Sequence, residues 1–224
     1  MEIKLPKTID RKPWLRYMMG KGEPDDQLKE KMDEAEKLLL EAAQPRGIYR
    51  ILGKEDVAME GFSIVKHLEG CDQVAVLAVT IGSGVDHLVR IYELKNMAMA
   101  MILNAGASVL AEQTADEAEQ AMIREIREKY GQKEDWKERD VFFTPRFSPG
   151  YGDYPLQYQN DILHYVDAAR KIGITLTPGN MMVPVKSITG LVGIADHPVK
   201  GRLATCSECV LRSKCTLWSQ GEHC

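Results

Sequence analysis

The chain has 224 residues, of which 44% are hydrophobic and 28% charged, and a net charge of −4. This length fits one large domain, or one domain with a small appendage, and the composition excludes intrinsic disorder. The negative charge argues against a general nucleic-acid binder, and the longest apolar tract, residues 97–111, is too short to span a bilayer. Because the start of the sequence lacks the apolar core of a secretory signal, the expected location is the cytoplasm.

The hydrophobic pattern predicts a mixture of helices and strands. Amphipathic helices are expected from Asp25 or Asp26 to about Ala43 and from about Asn96 to Tyr130. The unbroken apolar segment Val74–Thr80 is typical of a central strand buried on both faces. Further helices are expected at residues 85–92 and 161–171, and further strands at 48–52, 62–68, 140–145, 174–176, 183–186 and 187–194. Since strands and helices mix without strict alternation, the predicted fold class is α+β, with helices packed on a mostly antiparallel or mixed sheet.

The segment from Arg146 to Pro155 has the composition of a rigid turn that can present backbone groups to a ligand. Its two prolines restrict φ, and its two glycines permit backbone geometry that other residues resist. Arg146 can form a two-pronged pair with a carboxylate, and Tyr151 offers a flat apolar face with a polar tip. Composition alone leaves open an ordinary tight turn between a strand and a helix.

The end of the sequence, residues 201–224, is predicted to be a cysteine-rich tail. It holds four of the five cysteines, namely Cys206, Cys209, Cys215 and Cys224. The Cys-x-x-Cys spacing is typical of zinc and iron–sulfur sites, so these thiolates are predicted to bind a metal or a cluster. Reduced structural or regulatory thiols, and a smaller site with three cysteines or with His223, stay open. The histidines at 67, 87, 164 and 197 show no ligand spacing and are expected to be packed or on the surface.

Three short motifs point to a known family: Arg146-x-Ser148-Pro149-Gly150-Tyr151, Lys186-Ser187-Ile188-Thr189-Gly190 and Ile9-Asp10-x-x-Pro13. In their order and spacing they resemble the activation domain of cobalamin-dependent methionine synthase over most of residues 1–200. The resemblance implies a C-shaped α+β domain built around a twisted, mostly antiparallel sheet. It also implies binding of S-adenosylmethionine and a role in the reductive methylation of cobalamin that has reached the inactive cob(II) state.

The resemblance implies a role for each matching residue. Arg146 would bind the ligand's carboxylate, the backbone at Ser148 and Gly150 would line the adenosyl-methionine groove, and Tyr151 would face ligand and corrin together. The implied acidic contacts are Asp10, Asp140 and, in the long helix, Asp116 or its neighbour Glu117. Such a set suits the ligand, because sulfonium and ammonium groups attract carboxylates while a carboxylate attracts arginine.

The sequence departs from the family pattern at two points. Leu191-Val192 stands where the larger synthases have Trp-Tyr, which removes one aromatic ligand contact. The sequence also lacks Asp-x-His-x-x-Gly, the motif that supplies the lower histidine ligand of cobalamin. The resemblance therefore implies a free-standing component of a methyltransferase system that acts on the cobalamin-bearing module of a separate synthase or corrinoid protein.

Partners and alternatives follow from the same features. A reductant protein is a candidate partner. An iron–sulfur cluster in the tail would suit reductive activation because it can deliver an electron, whereas a zinc ion there would have a structural role. Two other functions stay open: an S-adenosylmethionine-binding adaptor or sensor outside turnover, and a zinc-knuckle interaction module.

Overall fold

A computed structural model describes residues 1–18, 23–131, 140–201 and 212–214. The α-helices of this part are α1 (Arg11–Tyr17), α2 (Asp26–Ala42), α3 (Phe62–His67), α4 (Ser83–Lys95), α5 (Met97–Gly131), α6 (Gln159–Tyr165) and α7 (Ala168–Ile172). The strands are β1 (Arg46–Gly53), β2 (Gln73–Thr80), β3 (Phe142–Phe143), β4 (Thr175–Leu176), β5 (Met182–Val183) and β6 (Ser187–Ala195). Within the described ranges, no helix combines the length and apolar character needed to cross a membrane.

Four of the strands form one sheet in the order β1-β2-β6-β3. Lys54, just after β1, donates its backbone N–H to the carbonyl of Asp72, just before β2, and the Asp72 N–H donates to the carbonyl of Ile194 near the end of β6. These contacts show that β1 runs antiparallel to β2 and that β2 runs antiparallel to β6. Strand β3 pairs antiparallel with β6 in a register that sets Phe142 opposite Ala195. A second, two-stranded sheet joins β4 and β5. The predicted α+β class with a mostly antiparallel sheet is confirmed.

Several elements lie where the sequence places them. Strand β2 is interior to the sheet and is buried at every position after Gln73, as expected for a continuous apolar run. Strand β3 lies at the edge but is confined to Phe142–Phe143 of the strand predicted at residues 140–145, and α5 extends over the predicted long helix. Helix α2 begins after Asp25, whose carboxylate accepts a hydrogen bond of 2.8 Å from the backbone N–H of Leu28.

The predicted strand at residues 62–68 is wrong, because this segment forms helix α3. Gly61, with φ of 111°, turns the chain before the helix. The carboxylate of Asp153 then accepts hydrogen bonds from the first two backbone N–H groups of the helix, at 2.7 and 2.8 Å. A residue distant in sequence therefore stabilises the helix start, and the short apolar run by itself does not distinguish helix from strand.

Two further predictions need correction. The helix expected at residues 161–171 is interrupted between α6 and α7, because Asp167 adopts a left-handed conformation with φ of 56°. The strand expected at residues 183–186 is confined to β5, which ends at Val183. Gly173 ends α7 in a left-handed conformation, with φ of 74°.

The chain divides into two compact units. The first consists of Met1–Ile48, Ala78–Met122 and Asp167–Ile188, and the second of Tyr49–Leu77, Ile123–Val166 and Thr189–Cys224. The boundary expected near residue 200, between a domain and a cysteine-rich tail, stays a prediction.

The core of the first unit contains the fully buried indole of Trp14. Its Nε1–H donates to the carbonyl of Ile102 in α5 at 2.9 Å, so the polar atom of the ring is satisfied. Gly106, one turn further along α5, lies directly against the ring: a Cβ there would stand 2.4 Å from a ring carbon. The absence of a side chain at Gly106 therefore lets α5 approach the indole.

Candidate ligand-binding loop

The segment Arg146–Pro155 belongs to the second unit, and its first residues are fastened to β6. Phe147 and Leu191 exchange two backbone hydrogen bonds, of 3.0 and 2.8 Å, in an antiparallel bridge. The hydroxyl of Ser148 donates to the carbonyl of Thr189 at 2.6 Å. Because Phe147 is fully buried, this end of the loop has a fixed place in the core of the second unit.

The side chain of Arg146 runs over Gly190 of β6. A Cβ at position 190 would lie 2.3 Å from the Cγ atom of Arg146 and 2.8 Å from its Cδ atom. Any larger residue at this position would therefore displace the aliphatic stem of the arginine. The Gly190 of the strand motif and the Arg146 of the loop motif thus form one packed pair.

The middle of the loop is a tight turn held by its own backbone. Gly150 donates its N–H to the carbonyl of Tyr154 at 2.8 Å, and Tyr151 donates to the carbonyl of Ser148 at 3.1 Å. Gly150 and Gly152 have φ values of 91° and 56°, a region that other residues rarely adopt. The two glycines are thus required by the conformation of the turn, as the sequence indicates.

Tyr151 is the exposed aromatic residue of the turn. Its side chain is 51% exposed, while one edge contacts the buried ring of Phe147 at a centroid distance of 6.0 Å and an interplanar angle of 73°. This contact packs one side of the ring on the core of the second unit, and about half of the residue is exposed.

The far end of the loop is fastened to residues 58–63 of the same unit. Asp153 accepts the two hydrogen bonds from Phe62 and Ser63 that start α3. The buried Tyr154 donates its hydroxyl to the carbonyl of Ala58 at 3.2 Å, and burial raises the pKa of this phenol. The loop therefore has anchors on both sides of its glycine turn.

The Asp153 contacts predict a pH-dependent stability. Burial acts to raise the pKa of this carboxyl, but hydrogen bonds from Ser63 and from the Phe62 backbone outweigh it and hold the pKa below its ordinary value of 3.8. A lowered folded-state pKa stabilises the fold above pH 3.8, and this stabilisation is lost as the pH falls through the lower value. We expect Asp153→Asn to be less stable than the parent at neutral pH, with a difference that shrinks below pH 3.8. Chemical denaturation across this range measures it, and a difference independent of pH would contradict the assignment.

Just before Arg146, the chain is held by His67 of α3. The imidazole Nε2 lies 2.8 Å from the carbonyl oxygen of Pro145 and 3.0 Å from the hydroxyl of Thr144. That hydroxyl also accepts the backbone N–H of Gly193 in β6 at 2.8 Å. His67 is 1% exposed and is therefore a packed histidine, one of the two placements expected for it, but the sequence gives no sign of its place beside the loop.

The three aspartates predicted to contact the ligand, Asp10, Asp116 and Asp140, lie far apart in the sequence. Asp10 and Asp116 belong to the first unit and both are exposed. The side chain of Gln113 lies on α5, three residues before Asp116, and contacts the segment that contains Asp10. Its amide accepts a hydrogen bond from the backbone N–H of Asp10 at 3.2 Å and donates one to the carbonyl of Thr8 at 3.3 Å. Asp140 is exposed and belongs to the second unit.

The two residues that replace the aromatic pair of the larger synthases are both in the core. Leu191 and Val192 are 0% exposed. The backbone of Leu191 forms the bridge to Phe147, so the strand keeps its pairing with the loop without an aromatic side chain at either position.

The sequence of residues 23–200 matches the family described as "Vitamin B12 dependent methionine synthase, activation domain". The chain belongs to this family. The match includes the Arg146 loop and the Gly190 strand motif, whereas Asp10 precedes it. The resemblance inferred from the three motifs is thereby confirmed at the level of the family.

The fold of this activation domain is also found in a solved structure. The chain is similar to the protein in "Crystal Structure of the MetH Reactivation Domain bound to AdoHcy", with a TM-score of 0.63 and 17% sequence identity. The similarity covers 92% of this chain and 81% of that chain. At this level of identity it shows a shared fold. No curated protein matches the chain by sequence.

The predicted metal ligands belong to the cysteine-rich tail at residues 201–224. Cys206, Cys209, Cys215 and Cys224 all lie outside the described residues, so metal ligation by them stays a prediction. In the part of the chain that the structure does describe, no group of three or more His, Cys, Asp or Glu side chains could hold a metal ion. Cys71 is a buried free thiol.

Proposed function

We propose that this activation domain binds S-adenosylmethionine and supports the reductive methylation of cob(II)alamin. The cobalamin would be held by the cobalamin-bearing module of a methionine synthase or related corrinoid protein, because these 224 residues contain no Asp-x-His-x-x-Gly segment. The observation that carries the proposal is the Arg146–Pro155 loop, anchored on both sides, in a chain of the activation-domain family.

The loop offers the groups that such a ligand needs. The guanidinium of Arg146 suits the α-carboxylate of the ligand, and its stem is held against Gly190. The glycine-rich turn at Gly150 allows close approach of a ligand to the backbone, and the exposed face of Tyr151 suits the plane of a corrin. The similar solved structure carries AdoHcy, which has the same adenosyl and carboxylate groups as S-adenosylmethionine.

We assign the cationic groups of the ligand to acidic residues. Asp10, Asp116 and Asp140 are proposed as contacts for the sulfonium and ammonium groups, and single Asp→Asn substitutions test each one separately. In the overall reaction a reductant would supply one electron to the partner's cob(II)alamin, and the reduced cobalt would supply the electron pair of the new bond to the methyl group. The S–CH₃ bond of the ligand would break with its electron pair staying on sulfur. Within this reaction the chain's own part is to bind and orient the methyl donor.

Calorimetric titration under anaerobic conditions tests the binding. We expect saturable binding of S-adenosylmethionine and weaker binding of decarboxylated S-adenosylmethionine, which differs by the carboxylate alone. No detectable heat at millimolar ligand would refute the proposal. Binding that leaves the reactivation rate of a cob(II)alamin-loaded partner unchanged would instead favour the adaptor or sensor function.

We also propose that Cys206, Cys209, Cys215 and Cys224 bind an iron–sulfur cluster or zinc. Visible absorbance and metal analysis after anaerobic purification separate the two, since zinc–thiolate sites are colourless. If a cluster passes the electron, Cys206→Ser is expected to slow the reduction of a cob(II)alamin-loaded partner. Equal rates for the parent and the variant would count against electron transfer through the tail.

A further inference from the structure

The residues on both sides of Arg146 contact one buried side chain, that of His67. On the N-terminal side, its Nε2 lies 2.8 Å from the carbonyl oxygen of Pro145. On the C-terminal side, its ring packs on the ring of Phe147 with a centroid distance of 4.8 Å and an interplanar angle of 46°. A single residue, distant in sequence, therefore contacts the carbonyl group immediately before the arginine and the side chain immediately after it.

The hydrogen-bond pattern around His67 defines which ring nitrogen carries a proton. The carbonyl of Pro145 is an acceptor only, so a hydrogen bond to it requires a proton on Nε2. The Thr144 hydroxyl directs its own hydrogen to the same carbonyl at 3.1 Å and accepts the N–H of Gly193. The histidine and the threonine thus both donate to the Pro145 oxygen, which fixes the direction of the peptide that leads into Arg146.

Two other contacts limit the freedom of this arrangement. A Cβ at Gly201 would lie 2.8 Å from the Cε1 atom of His67, so the chain packs closely on the ring. At its other end, α3 is held by the Asp153 carboxylate, which comes from the same loop as Arg146. The six-residue helix is therefore tied to the loop at both ends.

We propose that His67 is a positioning residue for Arg146 that sets the preference of the site for ligands carrying a carboxylate. It hydrogen-bonds the carbonyl of Pro145 and packs on the ring of Phe147, and Gly190 receives the stem of the arginine that lies between these two residues in sequence. An arginine held in this way loses less conformational freedom when it binds a carboxylate than one on a mobile loop. The inference rests on the proposed binding of S-adenosylmethionine and assigns a determinant of it.

The test compares two ligands in two variants of His67. His67→Phe keeps an aromatic ring but loses the hydrogen-bond donor, whereas His67→Gln keeps a donor but loses the ring. We expect His67→Phe to weaken binding of S-adenosylmethionine by about 5- to 10-fold, the equivalent of one hydrogen bond, with little change for decarboxylated S-adenosylmethionine. His67→Gln is expected to reduce the carboxylate preference by a smaller factor. In an Arg146→Ala background, neither change is expected to alter the ratio of the two affinities.

Each outcome decides for or against the positioning role. Thermal unfolding first identifies the folded variants, and His67→Gln serves as the test if His67→Phe does not fold. If a His67 variant loses affinity equally for both ligands, the role of His67 is generally structural and the proposal is overturned. The proposal is also overturned if the ratio of the two affinities stays unchanged, or if it changes by the same factor in the Arg146→Ala background. If the parent protein binds neither ligand, the proposed function fails and this inference fails with it. If the parent prefers the carboxylate and the variants keep that preference, only the inference about His67 is overturned.

Discussion

Arg146→Ala is expected to lower the affinity for S-adenosylmethionine by about 10- to 100-fold, which corresponds to the loss of hydrogen bonds to a charged group. The loss arises because the guanidinium is the cation of the loop and its stem is held by Gly190. Calorimetry with S-adenosylmethionine and its decarboxylated analogue measures the effect, and the variant is expected to bind the two ligands with nearly equal affinity.

Two matched variants separate the geometry of Arg146 from its charge. Arg146→Lys keeps the positive charge but cannot form a two-pronged pair, so a partial loss is expected. Gly190→Ala keeps the arginine but places a carbon 2.3 Å from its Cγ atom, and we expect its affinity to approach that of Arg146→Ala. Unchanged binding by Arg146→Ala would refute the assignment of the carboxylate to this residue.

The loop could be predicted from sequence to the extent that its conformation is local. The positive φ values of Gly150 and Gly152 and the turn around them follow from residue types within the segment itself. The anchors do not. Asp153 contacts Ser63, ninety positions earlier in the chain, and nothing near either residue indicates the other. The error at α3 has the same cause, because its start depends on that distant carboxylate.

The wider fold shows the same division between local and non-local information. Strand β2 could be read directly, since burial on both faces leaves an unbroken apolar run. The break between α6 and α7 could not, because the left-handed conformation of Asp167 interrupts a segment whose pattern continues as a helix. His67 is similar: its sequence neighbours give no hint that Thr144 and Pro145 adjoin it.

Trp14→Ala is expected to lower the free energy of unfolding by about 3–5 kcal/mol, the typical cost of removing a large buried aromatic side chain. The sequence of α1 gives little indication that Trp14 is so important for stability. In the structure the indole is fully buried, donates to Ile102 and fills the space that Gly106 leaves beside α5. Denaturant-induced unfolding measures the loss, with Lys12→Ala, an exposed position on the same helix, as the control expected to change stability by less than about 0.5 kcal/mol.

The packing of Trp14 on Gly106 also predicts that the effects of the two residues are not additive. Gly106→Ala in the parent protein places a Cβ 2.4 Å from the indole, and we expect this overpacking to cost about 1–3 kcal/mol. In the Trp14→Ala background the same methyl group enters the cavity left by the ring, so its cost should largely disappear. An equal cost of Gly106→Ala in both backgrounds would show that this cost does not come from contact with the indole.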